Sequence, residues 1–584
     1  MKILLAAVNA KYIHSNLAVY CLRASAGRYT PQIKLAEYTI NHQTDDIFQA
    51  ICREKPDLLF FSCYIWNRQI ILETAENIRK VLPDTVIWAG GPEVSYDAER
   101  FLSAYGMFDG VMRGEGERTF RKVLEHYVDK SIMLEEIPGI TYRECSGKIC
   151  SNADVMPMQT LDEIPFVYED IEQFENRIIY YESSRGCPFS CSYCLSSIDK
   201  SVRFRNLDLV KKELRFFLEH NVPQVKFVDR TFNCRHSHAQ EIWRFIRDND
   251  NGITNFHFEI AADLLNEEEL ELLSQMRPGL VQLEIGVQTV NERTLEAIHR
   301  MAKFEHITER VQKVAAHRNI HQHLDLIAGL PYEDYESFCH SFNEVYSQQP
   351  QELQLGFLKV LKGSEMDLKS EEYGIIYRSL PPYEVLETKW ITWEELLRLK
   401  AVEEMLEVYY NSQQFRYTLQ ALVQEFETPF DLYASLADYY EKSGLNGQSW
   451  SRMQRFQWLR AFIRETLDGR IAEEEDYLRY DEFLTLDYYL RENGKTRPAW
   501  AEDQTEWKNW ITDFYRQEEK EHRFLAADGE WTWKQMMRMT HLEHFHYDVT
   551  GNGERKEQWM LFDYSRRDPL TYDAIVFPSV NVCE

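Results

Sequence analysis

The chemistry of this chain starts from three cysteines. Cys187, Cys191 and Cys194 lie in Ser184-Arg185-Gly186-Cys187-Pro188-Phe189-Ser190-Cys191-Ser192-Tyr193-Cys194, a C-x3-C-x2-C spacing. The chain has 11 cysteines in 584 residues, so three at fixed spacing arise by chance only about 0.004 times. Three thiolates on one short loop can face one iron–sulfur cluster. They leave one iron of a [4Fe-4S] cube without a protein ligand, unlike the usual four-cysteine arrangement. An open metal position is where a substrate binds. A structural zinc site is the competing reading. It needs a fourth ligand, which Cys234 or His236 supplies only if the fold brings it near. Three inert buried thiols are the last alternative.

These cysteines need a scaffold, and the surrounding pattern supplies one. Strand candidates fall at 178–182, 225–228, 256–260, 281–285, 323–327 and 353–358, with amphipathic segments between them. Six evenly spaced βα units fit a partial or full (β/α) barrel. The cysteine loop follows its first strand. The N-terminal stretch is also α/β. Apolar runs at 3–8, 58–66, 86–89 and 110–112 alternate with amphipathic segments such as 70–82. That pattern predicts a doubly wound, Rossmann-like parallel sheet covered on both faces. Its strands end in Ser62 with Asn67, in Gly90-Gly91-Pro92, and in Arg113-Gly114-Glu115-Gly116-Glu117. Ligands of open α/β sheets sit at the carboxyl ends of the strands. One glycine merely permits a tight turn, but three such loops together point to a ligand.

The expected domains are 1–130, a connector at 131–165 with a polar turn around Ser146-Gly147, a barrel at 166–370, and a separate domain at 371–584. The last segment holds 25 basic and 41 acidic residues, a net charge of −16, and ten of the 13 tryptophans. It reads as mainly helical from 390 to 520, with a small terminal β region at 545–549, 559–564 and 574–577. His544 and His546 share one face of such a strand, as a metal-binding pair requires. An exposed polar edge is the expectation there.

Composition narrows the classes. Hydrophobic residues make up 44% and charged residues 28%, a globular composition that excludes disorder as a description of the whole. At about 150 residues per domain the length allows roughly four domains. The net charge of −29 argues against a protein that grips nucleic acid through its phosphates. No apolar run approaches the ~18 residues of a membrane span, and residues 3–8 fall short of the about 7–15 of an export signal. The cytoplasm is the expected location.

The cysteine loop resembles the signature of the radical S-adenosylmethionine (SAM) enzymes. The resemblance implies that Cys187, Cys191 and Cys194 bind a [4Fe-4S] cluster and that SAM chelates its fourth iron through amino and carboxylate groups. Tyr193 lies where the family packs against the adenosine. Asp229, in Phe227-Val228-Asp229-Arg230-Thr231-Phe232-Asn233, follows the second barrel strand, where the family approaches the methionine amino group. Glu259 sits on the third strand. Glu284 and Gln288, in Glu284-Ile285-Gly286-Val287-Gln288-Thr289, sit on the fourth, near the ribose contacts. Asp325, in Asp325-Leu326-Ile327-Ala328-Gly329-Leu330-Pro331, ends the fifth, near the adenine. A buried carboxylate such as Glu284 or Asp325 has a plainer alternative, pairing with a neighbour.

The N-terminal domain resembles the cobalamin-binding domain of the B12-dependent branch, through the glycine loops and Asn9-Ala10-Lys11-Tyr12-Ile13-His14-Ser15. That implies Ser62, Gly90, Gly91, Gly114 and Glu115 as cofactor contacts. The D-x-H-x-x-G motif by which some B12 proteins supply a histidine to cobalt is absent. His14 reads instead as a turn histidine with a structural hydrogen bond. The cobalt is then expected to lack a protein lower ligand, or the domain to have kept its shape without the cofactor. Together the two resemblances cover about residues 1–370. The C-terminal region resembles an uncharacterised extension on some members of the branch.

What the resemblance implies is reductive cleavage of SAM to a 5′-deoxyadenosyl radical, hydrogen abstraction from an unactivated carbon, and methyl transfer through cobalamin. An electron donor such as flavodoxin or ferredoxin is the implied partner, and the substrate is unknown. Two alternatives are a non-methylating radical rearrangement or cyclisation, and an iron–sulfur redox sensor without turnover.

Overall fold

Residues 3–8 are apolar without alternation, as a strand covered on both faces must be. In the computed structural model they lie in the strand Ile3–Asn9, buried throughout. The structure describes residues 1–467, 474–494, 496–525, 531–551 and 553–578. The chain divides into two compact units. One comprises Met1–Ile320, Ile327–Tyr335 and Gly356–Trp393; the other comprises His321–Leu326, Glu336–Leu355 and Glu394–Glu584.

In the first unit a seven-stranded sheet runs in the order Ile33–Thr39, Ile3–Asn9, Leu58–Ser62, Val86–Gly90, Gly110–Met112, Ile140–Arg143, Ile149–Ser151. The first five are parallel and the last two antiparallel. The connection reverses direction between Ile3–Asn9 and Leu58–Ser62, and ligands of such sheets bind at that switch point. Two parts of this sheet have no apolar run to announce them. Ile33–Thr39 is an edge strand whose middle is only half-buried. Residues 140–151 form a hairpin, with the polar turn at Ser146-Gly147 as its tip. The helix Arg68–Val81 buries Ile71, Leu72, Thr74, Ala75 and Ile78 on one face, the i, i+3/i+4 spacing of an amphipathic helix.

The second βα series has its strands at Ile179–Tyr181, Gln224–Phe227, Asn255–Ile260, Val281–Gln288, His321–Ala328 and Glu352–Phe357. Within the first unit Ile179–Tyr181, Gln224–Phe227, Asn255–Ile260 and Val281–Gln288 pair in parallel in that order. They form the parallel sheet expected of a barrel wall.

The second unit is helical over Pro429–Lys442, Arg452–Thr466, Glu474–Arg491 and Lys508–Glu521. It closes on an antiparallel sheet of Thr540–Tyr547, Arg555–Arg567 and Ala574–Phe577. Its first strand starts earlier than the sequence suggests, so residues 541–546 all lie on it. One core there gathers Phe514, Tyr515, Leu525, Met536, Leu542, Trp559 and Leu561.

Candidate cofactor site

The cysteine loop begins at a buried carboxylate. Asp229, fully buried after Gln224–Phe227, accepts from the Ser183 amide at 2.9 Å, Ser183 Oγ at 2.7 Å and Ser184 Oγ at 2.6 Å. Burial pushes its carboxyl up to about 6, against the pull of those hydrogen bonds. Both of its oxygens are engaged within the protein, so Asp229 fixes the start of the cysteine loop. Nothing in the sequence marks Ser183 as its partner.

From there Ser184–Arg185 pairs with Arg203–Phe204, closing the loop into a short hairpin. Gly186 takes φ +96°, and a Cβ there would lie 2.6 Å from the Ser201 carbonyl oxygen. Only glycine fits that turn. The Cys187 amide then donates to the Asp199 carbonyl at 3.1 Å, and Ser197 Oγ donates to the carbonyls of Cys191 at 3.0 Å and Cys194 at 2.6 Å. Cys187 and Cys191 are buried and Cys194 half-buried. All three are free thiols, and Cys187 Sγ lies 3.6 Å from Thr231 Oγ1.

Arg300 is the residue that sequence reasoning missed. Burial pushes up the Cys191 thiol and the Tyr193 phenol, and the Arg300 guanidinium beside them pulls both down. Arg300 also donates to the Gly286 carbonyl on Val281–Gln288. It thus ties the cysteine loop to the fourth barrel strand. Gln288 ends that strand with φ +74°, a costly conformation for a non-glycine residue and one that clusters at ligand sites. Its amide folds back over Gly286, where a Cβ would lie 2.1 Å from Gln288 Nε2. Among the described residues, Gln288 Oε1 and Arg300 Nε are buried without a hydrogen-bond partner. Buried polar atoms of that kind call for a ligand, and the two side chains meet at Gly286.

The zinc alternative fits less well. The described residues gather three ligand atoms within 4.8 Å of one another at Glu502, His544 and His546, not at the cysteine loop. Thiolates around one zinc at about 2.3 Å each lie only about 3.8 Å apart. Cys234 is near enough to Cys187 to be influenced by it, but burial, the larger cause, holds its thiol up at about 11.

The remaining barrel carboxylates make ion pairs. Glu284 meets Lys226 Nζ and His257 Nε2, each at 2.9 Å. Burial alone would raise its carboxyl; the two partners outweigh it and hold it well below the usual range. Glu259 faces Arg230 at 3.7 Å. Asp325 belongs to the second unit, where it pairs with His323 at 2.9 Å. Both contacts of Glu284 fall on Oε2.

The glycine loops divide into two kinds. At the switch point, Asn16 Nδ2 donates to Ser62 Oγ at 3.4 Å and to Asn9 Oδ1 at 3.3 Å. Gly91 takes φ +113°, and a Cβ there would lie 2.5 Å from the Cys63 carbonyl oxygen, while the Cys63 amide donates to the Gly90 carbonyl at 2.7 Å. Exposed Tyr12, Ile13, Trp66 and Tyr96 follow the strands ending at Asn9, Ser62 and Gly90, and Trp66 stacks on Tyr64 at 4.4 Å. Exposed apolar groups concentrated at strand ends mark a binding surface, and flat rings suit a macrocycle. The third loop faces the connector instead. Gly114 packs on Val155, and Glu115 takes the Met158 amide at 2.8 Å together with Arg203 and Arg185. Through these partners Glu115 ties the third loop to the cysteine hairpin. His14 hydrogen-bonds Tyr180, as a structural turn histidine does.

The two surfaces meet within the first unit. The Tyr96 ring packs against Gly363, where a Cβ would lie 2.5 Å from it. The Met366 amide donates to the Ser192 carbonyl at 2.8 Å, and Lys362 pairs with Asp97 at 2.9 Å.

Comparison with known proteins matches three regions. Residues 3–124 match the B12 binding domain, 181–345 the radical SAM superfamily, and 371–562 a family described as a protein of unknown function, DUF4080. The 2-(S-pantetheinyl)-carbapenam-3-carboxylate methyltransferase of Streptantibioticus cattleyicolor is 24% identical, over 55% of this chain and 47% of its own. The cobalamin-dependent radical SAM methyltransferase TokK of Streptomyces tokunonensis is 24% identical, over 56% of this chain and 50% of its own. The chain thus spans about half the length of these relatives. The structure of the cobalamin-dependent S-adenosylmethionine radical enzyme OxsB with aqua-cobalamin bound superposes with a TM-score of 0.58 at 16% identity, covering 83% of this chain and 79% of that one, which shows a shared fold. No helix among the described residues is long and apolar enough to cross a membrane. The chain therefore joins a B12-binding domain, a radical SAM domain and a C-terminal DUF4080 region, and its cofactors are those of the two families, a [4Fe-4S] cluster, SAM and cobalamin.

Proposed function

We propose that this protein is a cobalamin-dependent radical SAM enzyme that transfers a methyl group to an unactivated carbon of its substrate. The observation that carries the reading is the meeting of the cysteine loop with the aromatic strand ends in one unit: the Tyr96 ring packs against Gly363, and the Met366 amide three residues on donates to the Ser192 carbonyl of the cysteine loop at 2.8 Å. The names of the two curated relatives support methylation as the outcome. When bound, the cluster supplies the electron that cleaves SAM and cobalamin supplies a methyl carrier. The chain's own residues hold the parts in place. Asp229 fixes the start of the cysteine loop through Ser183 and Ser184. Arg300 neutralises negative charge at Cys191, and Gln288 offers a buried amide oxygen to SAM. Such an enzyme works in the cytoplasm and draws electrons from a reduced flavodoxin or ferredoxin.

The test begins without a substrate. The protein is prepared without oxygen, reconstituted with iron, sulfide and hydroxocobalamin, desalted, and analysed for metals and for cleavage of SAM. About four irons and one cobalt per chain, with SAM cleavage, are expected. Cys187→Ala, Cys191→Ala and Cys194→Ala each abolish both iron binding and cleavage. Iron without cobalt removes methyl transfer through cobalamin and leaves the non-methylating radical reading. Unchanged iron and cleavage in the three variants overturn the whole assignment.

A further inference from the structure

The histidines of the C-terminal sheet are not an exposed polar edge. His544 and His546 alternate onto one face of Thr540–Tyr547, with ring centroids 4.8 Å apart. The His544 side chain is only 10% exposed. It is walled by Trp507 at 5.8 Å and by Trp559 at 5.1 Å, its cross-strand neighbour. Glu502, on the loop before the turn Thr505–Trp507, faces both rings. One carboxylate oxygen lies 3.6 Å from His544 Nδ1 and the other 3.9 Å from His546 Nε2. Neither separation is a hydrogen bond. Among the described residues, His544 Nδ1 is buried with no hydrogen-bond partner.

The surroundings fix how these atoms are presented. Glu482 accepts the amides of His546 and Tyr547, at 2.9–3.0 Å, with both of its oxygens. His546 Nδ1 lies 2.8 Å from the same carboxylate, so that nitrogen carries the proton and Nε2 keeps its lone pair, turned toward Glu502. A metal-binding histidine almost always donates its other ring N–H to a carboxylate in this way. Arg497 donates to the Glu502 carbonyl and pairs with the buried Glu543 of the histidine strand. The loop that carries Glu502 is thereby tied to the strand that carries the rings.

We propose that Glu502, His544 and His546 bind a divalent first-row transition ion, zinc in the test below, at a site separate from the iron–sulfur cluster. The three ligand atoms lie within 4.8 Å of one another. Ligands around one zinc at about 2.0–2.1 Å sit about 3.3 Å apart, a gap that the half-exposed Glu502 side chain closes by swinging inward. Two imidazoles select against calcium and magnesium, which take oxygen ligands. Three protein ligands leave a fourth position open, as in zinc sites that act on a bound water. The DUF4080 region then contributes a metal centre of its own.

The full-length protein with its cluster reconstituted is dialysed against zinc and then against metal-free buffer. Zinc per chain is measured by mass spectrometry and its ligands by X-ray absorption at the zinc edge. About one zinc is expected, with a first shell of nitrogen and oxygen and the outer-shell scattering of imidazole. His544→Ala and His546→Ala lose it. Glu502→Gln alters a half-exposed side chain that supports no core, and it weakens zinc binding at least tenfold with iron content and circular dichroism unchanged. Absence of retained zinc, a sulfur first shell, or equal zinc in wild type and Glu502→Gln overturns the proposal.

Discussion

Asp229 gives the sharpest link between a buried charge and the cysteine loop. Its carboxyl is held at about 6, up from 3.8, chiefly by burial. A carboxyl that binds its proton more tightly when folded adds stability that is fully present below its unfolded value. That stability is lost as the pH rises through the folded value. The shift of roughly 2 units corresponds to about 3 kcal/mol in all, and between pH 5 and pH 7 about one decade of it is expressed. Asp229→Asn removes the titrating group. It also sets an amide NH2 against donors that Asp229 accepts, at a pH-independent cost of about 1–3 kcal/mol. The comparison is therefore one of slopes. Hydrogen exchange of amides in Ile179–Tyr181 and Ser184–Arg185, corrected for intrinsic rates, reports openings that expose residue 229. The protection of wild type relative to Asp229→Asn should fall about tenfold from pH 5 to pH 7. Parallel profiles would refute the reasoning, because they would mean that the carboxyl titrates alike in the folded and open states.

Two further perturbations separate the two cofactor surfaces. Arg300→Ala removes the cation beside Cys191 and the bond to the Gly286 carbonyl. A charged hydrogen bond of about 1.5–3 kcal/mol that holds the loop in its SAM-binding shape caps the expected loss of SAM affinity at about tenfold to a hundredfold, read by equilibrium binding, with cobalamin content unchanged. Gly91→Ala places a Cβ 2.5 Å from a backbone oxygen at φ +113°. Strain of about 1–3 kcal/mol must displace the loops after Leu58–Ser62 and Val86–Gly90. Cobalt per chain should fall while iron stays at the wild-type level, as metal analysis of reconstituted protein will show.

The cysteine loop, the order of βα units and the boundaries of most strands can be read from the chain alone. Those features depend on residue type and spacing along one segment. Apolar runs without alternation announce buried parallel strands, so Ile3–Asn9 and Val281–Gln288 were legible, while the half-buried edge strand Ile33–Thr39 was not. Which groups each polar side chain meets depends on the folded chain. Asp229, Glu115 and Glu284 carry the residue type of a cofactor ligand, and only the fold shows that they also meet Ser183, Arg203 and Lys226, each distant in sequence. Arg300 acquires its role only because the turn that carries it is held to the cysteine loop, where the Ser192 amide donates to the Ile298 carbonyl at 3.1 Å. His544 and His546 acquire theirs only because Glu502 and Glu482 reach them from other segments. A hydrogen bond or a metal site is a relation of a few ångströms between distant parts of the chain, and local pattern holds no record of that distance.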